Sequence, residues 1–151
     1  MGSFELGTDG PGAIVVGVDG SPTSLRAAAY AAGLARRQHT KLIAVYARTS
    51  PATLLTLADH SGLATSAVLQ TQDDLEQQLR TELERQAELW GVDARLVVRR
   101  GEPLGVLAEV AKQTRADAVI VGSSTSVGHR IAGSLAVRLV RCGRWPVTVV
   151  P

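Results

Sequence analysis

The feature that most constrains this chain is a regular change of hydrophobic period. Five short, unbroken apolar runs are separated by longer stretches in which apolar residues recur three or four positions apart. An unbroken run of four to eight apolar residues suits a strand buried on both faces, whereas the three-to-four spacing marks one face of a helix. The runs lie at residues 14–18 (Ile14, Val15, Val16, Val18), 42–46, 95–99 (around Leu96, Val97 and Val98), 118–121 and 147–150. Between them, Leu25, Ala28, Ala29, Ala32 and Ala35 share a helical face, as do Leu75, Leu79, Leu83, Ala87 and Trp90. Leu104, Leu107, Ala108 and Ala111 form a third such face, and a last helix is expected from Gly133 to about Cys142.

The order is β-α-β-α-β-α-β-α-β. Strands that alternate with helices pair in parallel, cross over right-handed and carry helices on both faces. The expected fold is therefore α/β, an open doubly wound five-stranded parallel sheet. Aromatic residues make up only 3% of the chain, so the core must be packed from Val, Leu, Ile and Ala, which suits a parallel sheet under Ala-rich helices. A length of 151 residues is enough for one domain with a full core.

Punctuation refines the boundaries. Ser21 is a natural N-cap with Pro22 at the first helical position. Thr71 and Asp74 stand in a capping-box arrangement that predicts the start of the second helix, and Gly91 is its stop. Gly101, Glu102 and Pro103 form a turn that opens the third helix, and Gly143 closes the fourth. From residue 49 to residue 66 the periodicity is lost, which predicts a long connection with a short helical piece at 54–58. The Gly-rich residues 1–12 are expected to be a disordered lead, and 13–151 the domain.

Several function classes are disfavoured. The N-terminus has neither a basic region nor an apolar stretch of signal-peptide kind, and Leu6 stands where myristoylation would need Ser or Thr. No apolar run approaches the ~20 residues of a membrane span. A cytoplasmic protein without a membrane partner is expected. The net charge is +2 and the basic residues are scattered, with no stripe or motif for nucleic acid. Cys142 is the lone cysteine, so no internal disulfide forms. The chain has no Walker-type G-x-x-x-x-G-K-S/T, no G-x-G-x-x-G and no nucleophile–base pair, which argues against an enzyme.

In an open doubly wound sheet, ligands bind beyond the carboxyl ends of the strands, where the strand order reverses. Two strand ends are unusual: Val18-Asp19-Gly20-Ser21, and the polar loop after Val121 that runs through Gly122, Ser123 and Ser124 to Gly133-Ser134. A helix start offers free N–H groups and a positive dipole end to phosphate, Gly permits close approach, and Ser134 adds a hydroxyl. The competing reading makes 122–124 a polar loop and Ser134 an N-cap. Asp19 likewise has two readings, as a ligand to a ribose or base and as a cap of its own turn.

Taken together, Val16-Gly17-Val18-Asp19-Gly20-Ser21, Gly101-Glu102-Pro103, Val121-Gly122-Ser123, Gly133-Ser134 and Trp145-Pro146-Val147-Thr148-Val149-Val150 resemble the universal stress protein family, in the family's order. The resemblance implies strand order 3-2-1-4-5, with the ends of the first and fourth strands side by side. It also implies an adenine nucleotide, ATP with Mg²⁺ as companion of the triphosphate. The family pattern G-x2-G-x9-G-S/T carries over to Gly122, Gly133 and Ser134, with Ser123 and Ser124 in the loop. Asp19 would lie near the adenine and ribose, and Val45, Tyr46 and the Arg100-Gly101 region would flank the base. The sequence departs from the pattern at Thr125, which holds the second glycine position, and ten residues rather than twelve separate Gly122 from Gly133. Gly128 is a substitute flexible point, out of register. The shorter loop would bring Ser124, Ser126, His129 or Arg130 towards the phosphates.

A homodimer is implied as well, through antiparallel pairing of the last strands. Val147–Val150 would be an apolar edge strand, and an uncovered edge invites pairing. The leading expectation is a non-catalytic regulatory domain that binds an adenine nucleotide. The alternative is a nucleotide-free dimeric interaction module. Of the other residues, Cys142 is expected to pack on its helix, His39 and His60 to lie at the surface, and Trp90 and Trp145 to act as anchors. Arg138, Arg141 and the acidic stretch 73–88 read as solvated helix faces.

Overall fold

Each apolar run becomes a strand and each periodic stretch a helix in the structure, a computed structural model that describes residues 12–49, 63–123 and 134–151. The strands are β1 (Ala13–Gly17), β2 (Lys41–Arg48), β3 (Ala94–Arg100), β4 (Ala116–Gly122) and β5 (Val147–Val150). The helices are α1 (Pro22–Gln38), α2 (Leu63–Trp90), α3 (Pro103–Gln113) and α4 (Ser134–Cys142). All pairings are parallel, in the order β3-β2-β1-β4-β5. From β1 the chain winds outward to β2 and β3, and from β4 it winds the other way to β5. The switch point therefore lies between β1 and β4, as the family order implies.

Alternation across the pleat sends neighbouring side chains to opposite faces. Ile14, Val16, Leu42, Ala44, Tyr46 and Ile120 pack under α1 and α2, while Val15, Ile43, Val45, Val119 and Val121 pack under α3 and α4. The central β1 is sealed from both sides: Ile14, Val15 and Val16 are fully buried. Each such side chain contributes roughly 1.5–3 kcal/mol by leaving water. Ala27, Ala31 and Ala35 line the inner face of α1, and their small size lets the helix lie close to the sheet. Gly12 N donates to Asp117 Oδ2 at 2.8 Å, which ties the start of the described chain to β4.

The caps of α1 follow the sequence. Ser21 Oγ accepts from Ser24 N at 3.2 Å and Pro22 opens the helix. His39, exposed, ends it in the left-handed region with φ of 53°.

The start of α2 differs from expectation, because it already runs from Leu63 and Thr71 lies inside it. The Thr71 hydroxyl donates to the carbonyl of Ala67 at 2.9 Å, one turn back, as a hydroxyl in mid-helix does. Ser66, Ala67 and Val68 are exposed, so these turns bury too little to print an apolar period on the sequence. The helical piece expected at 54–58 lies outside the described residues, as does His60.

Of the two tryptophans, Trp145 is half-buried against the α3/α4 side, whereas Trp90 stands 39% exposed at the end of α2. Cys142 is exposed in the last turn of α4, its Sγ donating to the Leu139 carbonyl at 3.0 Å. No described helix is long and apolar enough to cross a membrane.

Candidate functional site

The carboxyl end of β1 is shaped by a compact polar turn. Val18 N donates to Val45 O at 2.9 Å, which carries the β1–β2 pairing one residue past the strand. The chain then breaks upward at Asp19. Asp19 Oδ1 accepts from Ser21 N at 2.9 Å, a side-chain turn of the kind Asp favours. Asp19 N donates to Ser24 Oγ at 3.2 Å, and that hydroxyl donates in turn to Ser21 O at 3.0 Å. Burial would push the Asp19 carboxyl up, but hydrogen bonds from Ser21 and Ser24 outweigh it and hold the group below its ordinary value. The turn thus presents an ionised carboxylate at the mouth of the sheet. Both readings of Asp19 are compatible with this geometry, since it caps the turn and is still exposed.

Gly20, with φ of 81°, completes the turn beneath α2, where a Cβ would come 2.6 Å from Leu75 Cδ1. The turn is therefore clamped from above.

The end of β4 lies beside it. Gly122 sits against the first turn of α1, so close that a Cβ would come 2.6 Å from the Thr23 carbonyl carbon. Ser123 N donates to Val150 O at 2.7 Å and is half-buried, so it extends the β4–β5 ladder. Ser124, Thr125, Ser126, Gly128, His129, Arg130 and Gly133 lie outside the described residues. Helix α4 begins at Ser134.

On the other side of β1, Val45 is buried among the α3/α4 residues, and its carbonyl is taken by Val18. Ala47 shares that face two residues nearer the strand end and is half-buried, which puts it closer to the crevice than Val45. Period two alone signals this residue. Gly101 N donates to Arg48 O at 3.0 Å, with φ of 145° that excludes other residue types. The structure thus brings Asp19, Gly122 and Ser123 to adjacent strand ends at the switch point. Gly101 and Arg100 lie farther out, at the end of β3.

Sequence reasoning missed the most heavily bonded group near this edge. Arg48, 8% exposed, sends Nη1 to Asp73 Oδ1 at 2.7 Å and to Glu76 Oε2 at 3.1 Å, and Nε to Gln72 Oε1 at 3.4 Å. Burial would lower the guanidinium pKa, but the two carboxylates raise it. Asp73 and Glu76 are therefore not simply solvated: they hold α2 to the end of β2. The signal was a basic residue closing an apolar strand, followed by acids three apart on the next helix. Tyr46 lies beside this group; burial raises its phenol pKa, as do Glu76 and Asp19, against Arg48.

A second ion pair ties the other face. Glu102 caps α3 by accepting from Gly105 N at 3.2 Å, and Arg138 Nη1 of α4 reaches its other oxygen at 2.7 Å. Arg138 is thus bound within the chain rather than merely solvated.

An open, doubly wound parallel sheet whose strand order reverses between β1 and β4 defines the class: an α/β domain of Rossmann-like architecture. The universal stress protein family model matches residues 12–151, and the chain belongs to that family. A universal stress protein of Methanocaldococcus jannaschii is 28% identical over 139 residues, which are 91% of this chain and 80% of that protein. Among solved structures, a universal stress protein family member from Burkholderia pseudomallei superposes with a TM-score of 0.74 at 22% identity, over 93% of this chain and 96% of the other. A universal stress protein solved in complex with cAMP superposes with a TM-score of 0.61 at 26% identity, over 93% of this chain and 96% of that one.

Proposed function

We propose that this universal stress protein is a non-catalytic regulatory domain that binds an adenine nucleotide across the ends of β1 and β4. The observation that carries the reading is the meeting of the Asp19 turn with Gly122 and Ser123 at the switch point, in a fold shared with a relative solved with cAMP. In this reading Asp19 accepts from the ribose or base, and Ala47 and Val45 back the base. The residues from Gly122 to Ser134, with Ser124, Gly128 and Gly133 among them, receive the phosphate. The N-terminus of α4 adds its N–H groups and positive dipole end there.

ATP is the nucleotide the family resemblance favours, with its Mg²⁺ held by phosphate oxygens. Among the described residues no group of three or more His, Cys, Asp or Glu side chains could hold a metal by itself. The nucleotide signals by occupancy, in the cytoplasm, and the protein works as a homodimer joined at β5.

Calorimetric titration of nucleotide-stripped protein with ATP and Mg²⁺, and separately with cAMP, tests this reading. Saturable binding is expected, weakened at least tenfold in Asp19→Ala and in the double variant Gly133→Val, Ser134→Ala. Absence of binding by either nucleotide at millimolar concentration would overturn it. The domain would then be a nucleotide-free dimeric interaction module.

A further inference from the structure

The parallel sheet gathers charge that the sequence spreads out. Each helix runs back between two parallel strands, so every described helix ends, and every strand begins, at one edge of the molecule. Arg36 and Arg37 lie in the last turn of α1, Lys112 in that of α3 and Arg141 in that of α4. Lys41 opens β2, level with Ala13 of β1 and through it with Ala116 of β4, and Arg144 stands in the turn that leads into β5. All six are exposed, and among the described residues no carboxylate pairs with any of them. Arg115, just before β4, adds a further cation.

Acids do not balance this edge. Glu88 and Asp93 belong to its α2–β3 end, and Asp117 already accepts from Gly12 N at 2.8 Å. Cations at helix C-termini are ordinary, but each such end carries only about half a negative charge, so the four that end here offset about two charges and the edge stays positive. The opposite edge differs, since Arg48 and Arg138 there each close on carboxylates. The basic edge also exposes apolar surface. Leu89 and Trp90, the last two residues of α2, stand 66% and 39% exposed. Water disfavours such side chains, whereas a bilayer interface takes up Trp and Leu beside Lys and Arg.

We propose that the amino-end edge of the sheet is a docking face for an anionic lipid surface, a peripheral contact that needs no spanning helix. The cations meet headgroup phosphates, and Leu89 and Trp90 enter the headgroup boundary. Arg36 and Arg37 come from one side of the sheet and Lys112 and Arg141 from the other, so the charge covers an area rather than a line. An area suits a planar surface, whereas the phosphates of a nucleic acid follow a track. Each Lys or Arg beside an anionic leaflet strengthens binding about fivefold. This face replaces the expectation of no membrane partner. The strand-end crevice lies at the opposite edge and stays open to solvent, so the docking stands whether or not the protein binds nucleotide.

The test is co-sedimentation of the full chain with vesicles of phosphatidylglycerol and phosphatidylcholine in equal parts, beside vesicles of phosphatidylcholine alone. Binding to the anionic vesicles is expected, about tenfold or more tighter than to the neutral ones, and should weaken as salt rises. Arg36→Glu with Arg37→Glu, and separately Arg141→Glu with Arg144→Glu, should each weaken it about tenfold or more. If one pair does not fold, the other gives the same readout. Arg26→Glu with Arg80→Glu changes the net charge equally, near the start of α1 and in the middle of α2, and should leave binding within about threefold of the parent. No sedimentation with anionic vesicles at low salt would overturn the proposal. So would equal binding to neutral vesicles, or a loss in the control pair as large as in the edge pairs. A DNA duplex bound through the same arginines while vesicles stay free would make the face a nucleic-acid surface. Self-association lost in the edge pairs, without vesicle binding, would make it a contact between copies of the chain. Either of these results overturns the lipid assignment.

Discussion

Gly122, the last residue of β4, rests on the backbone of Thr23 in the first turn of α1. A Cβ added to it would fall 2.6 Å from the Thr23 carbonyl carbon and 2.7 Å from its oxygen. The contact seats the end of one strand on the helix that follows its neighbour, and so fixes the width of the crevice at the switch point. The glycine thus has a packing role that holds without any ligand.

Gly122→Ala is accordingly expected to destabilise the unliganded protein by about 2 kcal/mol, because backbone atoms of α1 and β4 would have to separate. Urea unfolding in the absence of nucleotide measures it. A loss below about 0.5 kcal/mol, the range of an ordinary surface change, would mean that α1 shifts freely.

The Arg48 group sets up an asymmetry. Its side chain is 10% exposed, whereas those of Asp73 and Glu76 are 59% and 26% exposed. Arg48→Met lets both acids turn to water and fills the buried volume with an apolar stem, so the loss should stay near 1 kcal/mol. Asp73→Asn with Glu76→Gln instead leaves a buried cation without its counter-charges and should lose about 2–3 kcal/mol. Thermal or urea denaturation of the two variants decides; a larger loss in Arg48→Met would reverse the argument.

Acid should loosen the turn at the end of β1. The folded Asp19 carboxyl titrates below its ordinary value of 3.8, so its hydrogen bonds contribute fully above that pH and fade as pH falls through the lowered folded value. Glu102, held below its ordinary 4.5 by Gly105 N and Arg138 against the upward push of burial, has the same sign. Asp19→Asn should be less stable than the parent at neutral pH, and the gap should close as pH falls through the lowered folded value and the carboxyl takes up its proton. A constant gap across that range would remove Asp19 from the acid response.

The fold was legible because every strand contains an apolar run and every helix carries a period, and because the central β1 needed no polar compromise. Family order then supplied the strand sequence that local pattern lacks. The start of α2 was not legible, since its exposed first turns leave no stripe and Thr71 with Asp74 imitate a cap. At the site, Asp19, Gly122 and Ser123 could be placed at strand ends from sequence. The partners of Arg48 could not, because its bonds run to residues 25 and 28 positions away across a helix boundary. The exposure of Leu25 and Trp90 was equally hidden: periodicity assigns both to inner faces, yet they stand exposed.

Among the described residues β5 pairs with β4 alone, and its other edge gives the sharpest test of the proposed dimer. Val119 N bonds to Pro146 O and Ser123 N to Val150 O, so residues 146, 148 and 150 turn their backbone groups towards β4. In a parallel ladder the intervening Val147 and Val149 then point their N–H and C=O groups away from the sheet. These are the groups an antiparallel partner strand would use, in the manner of edge-to-edge pairing. Val149→Pro removes one such N–H without removing a bond to β4, and proline is tolerated at a strand edge. The variant should therefore keep the parent's circular dichroism and sediment as a monomer where the parent sediments as a dimer. A variant that stays dimeric would move the interface away from β5, and one that loses its fold would show that Val149 is needed within the sheet itself.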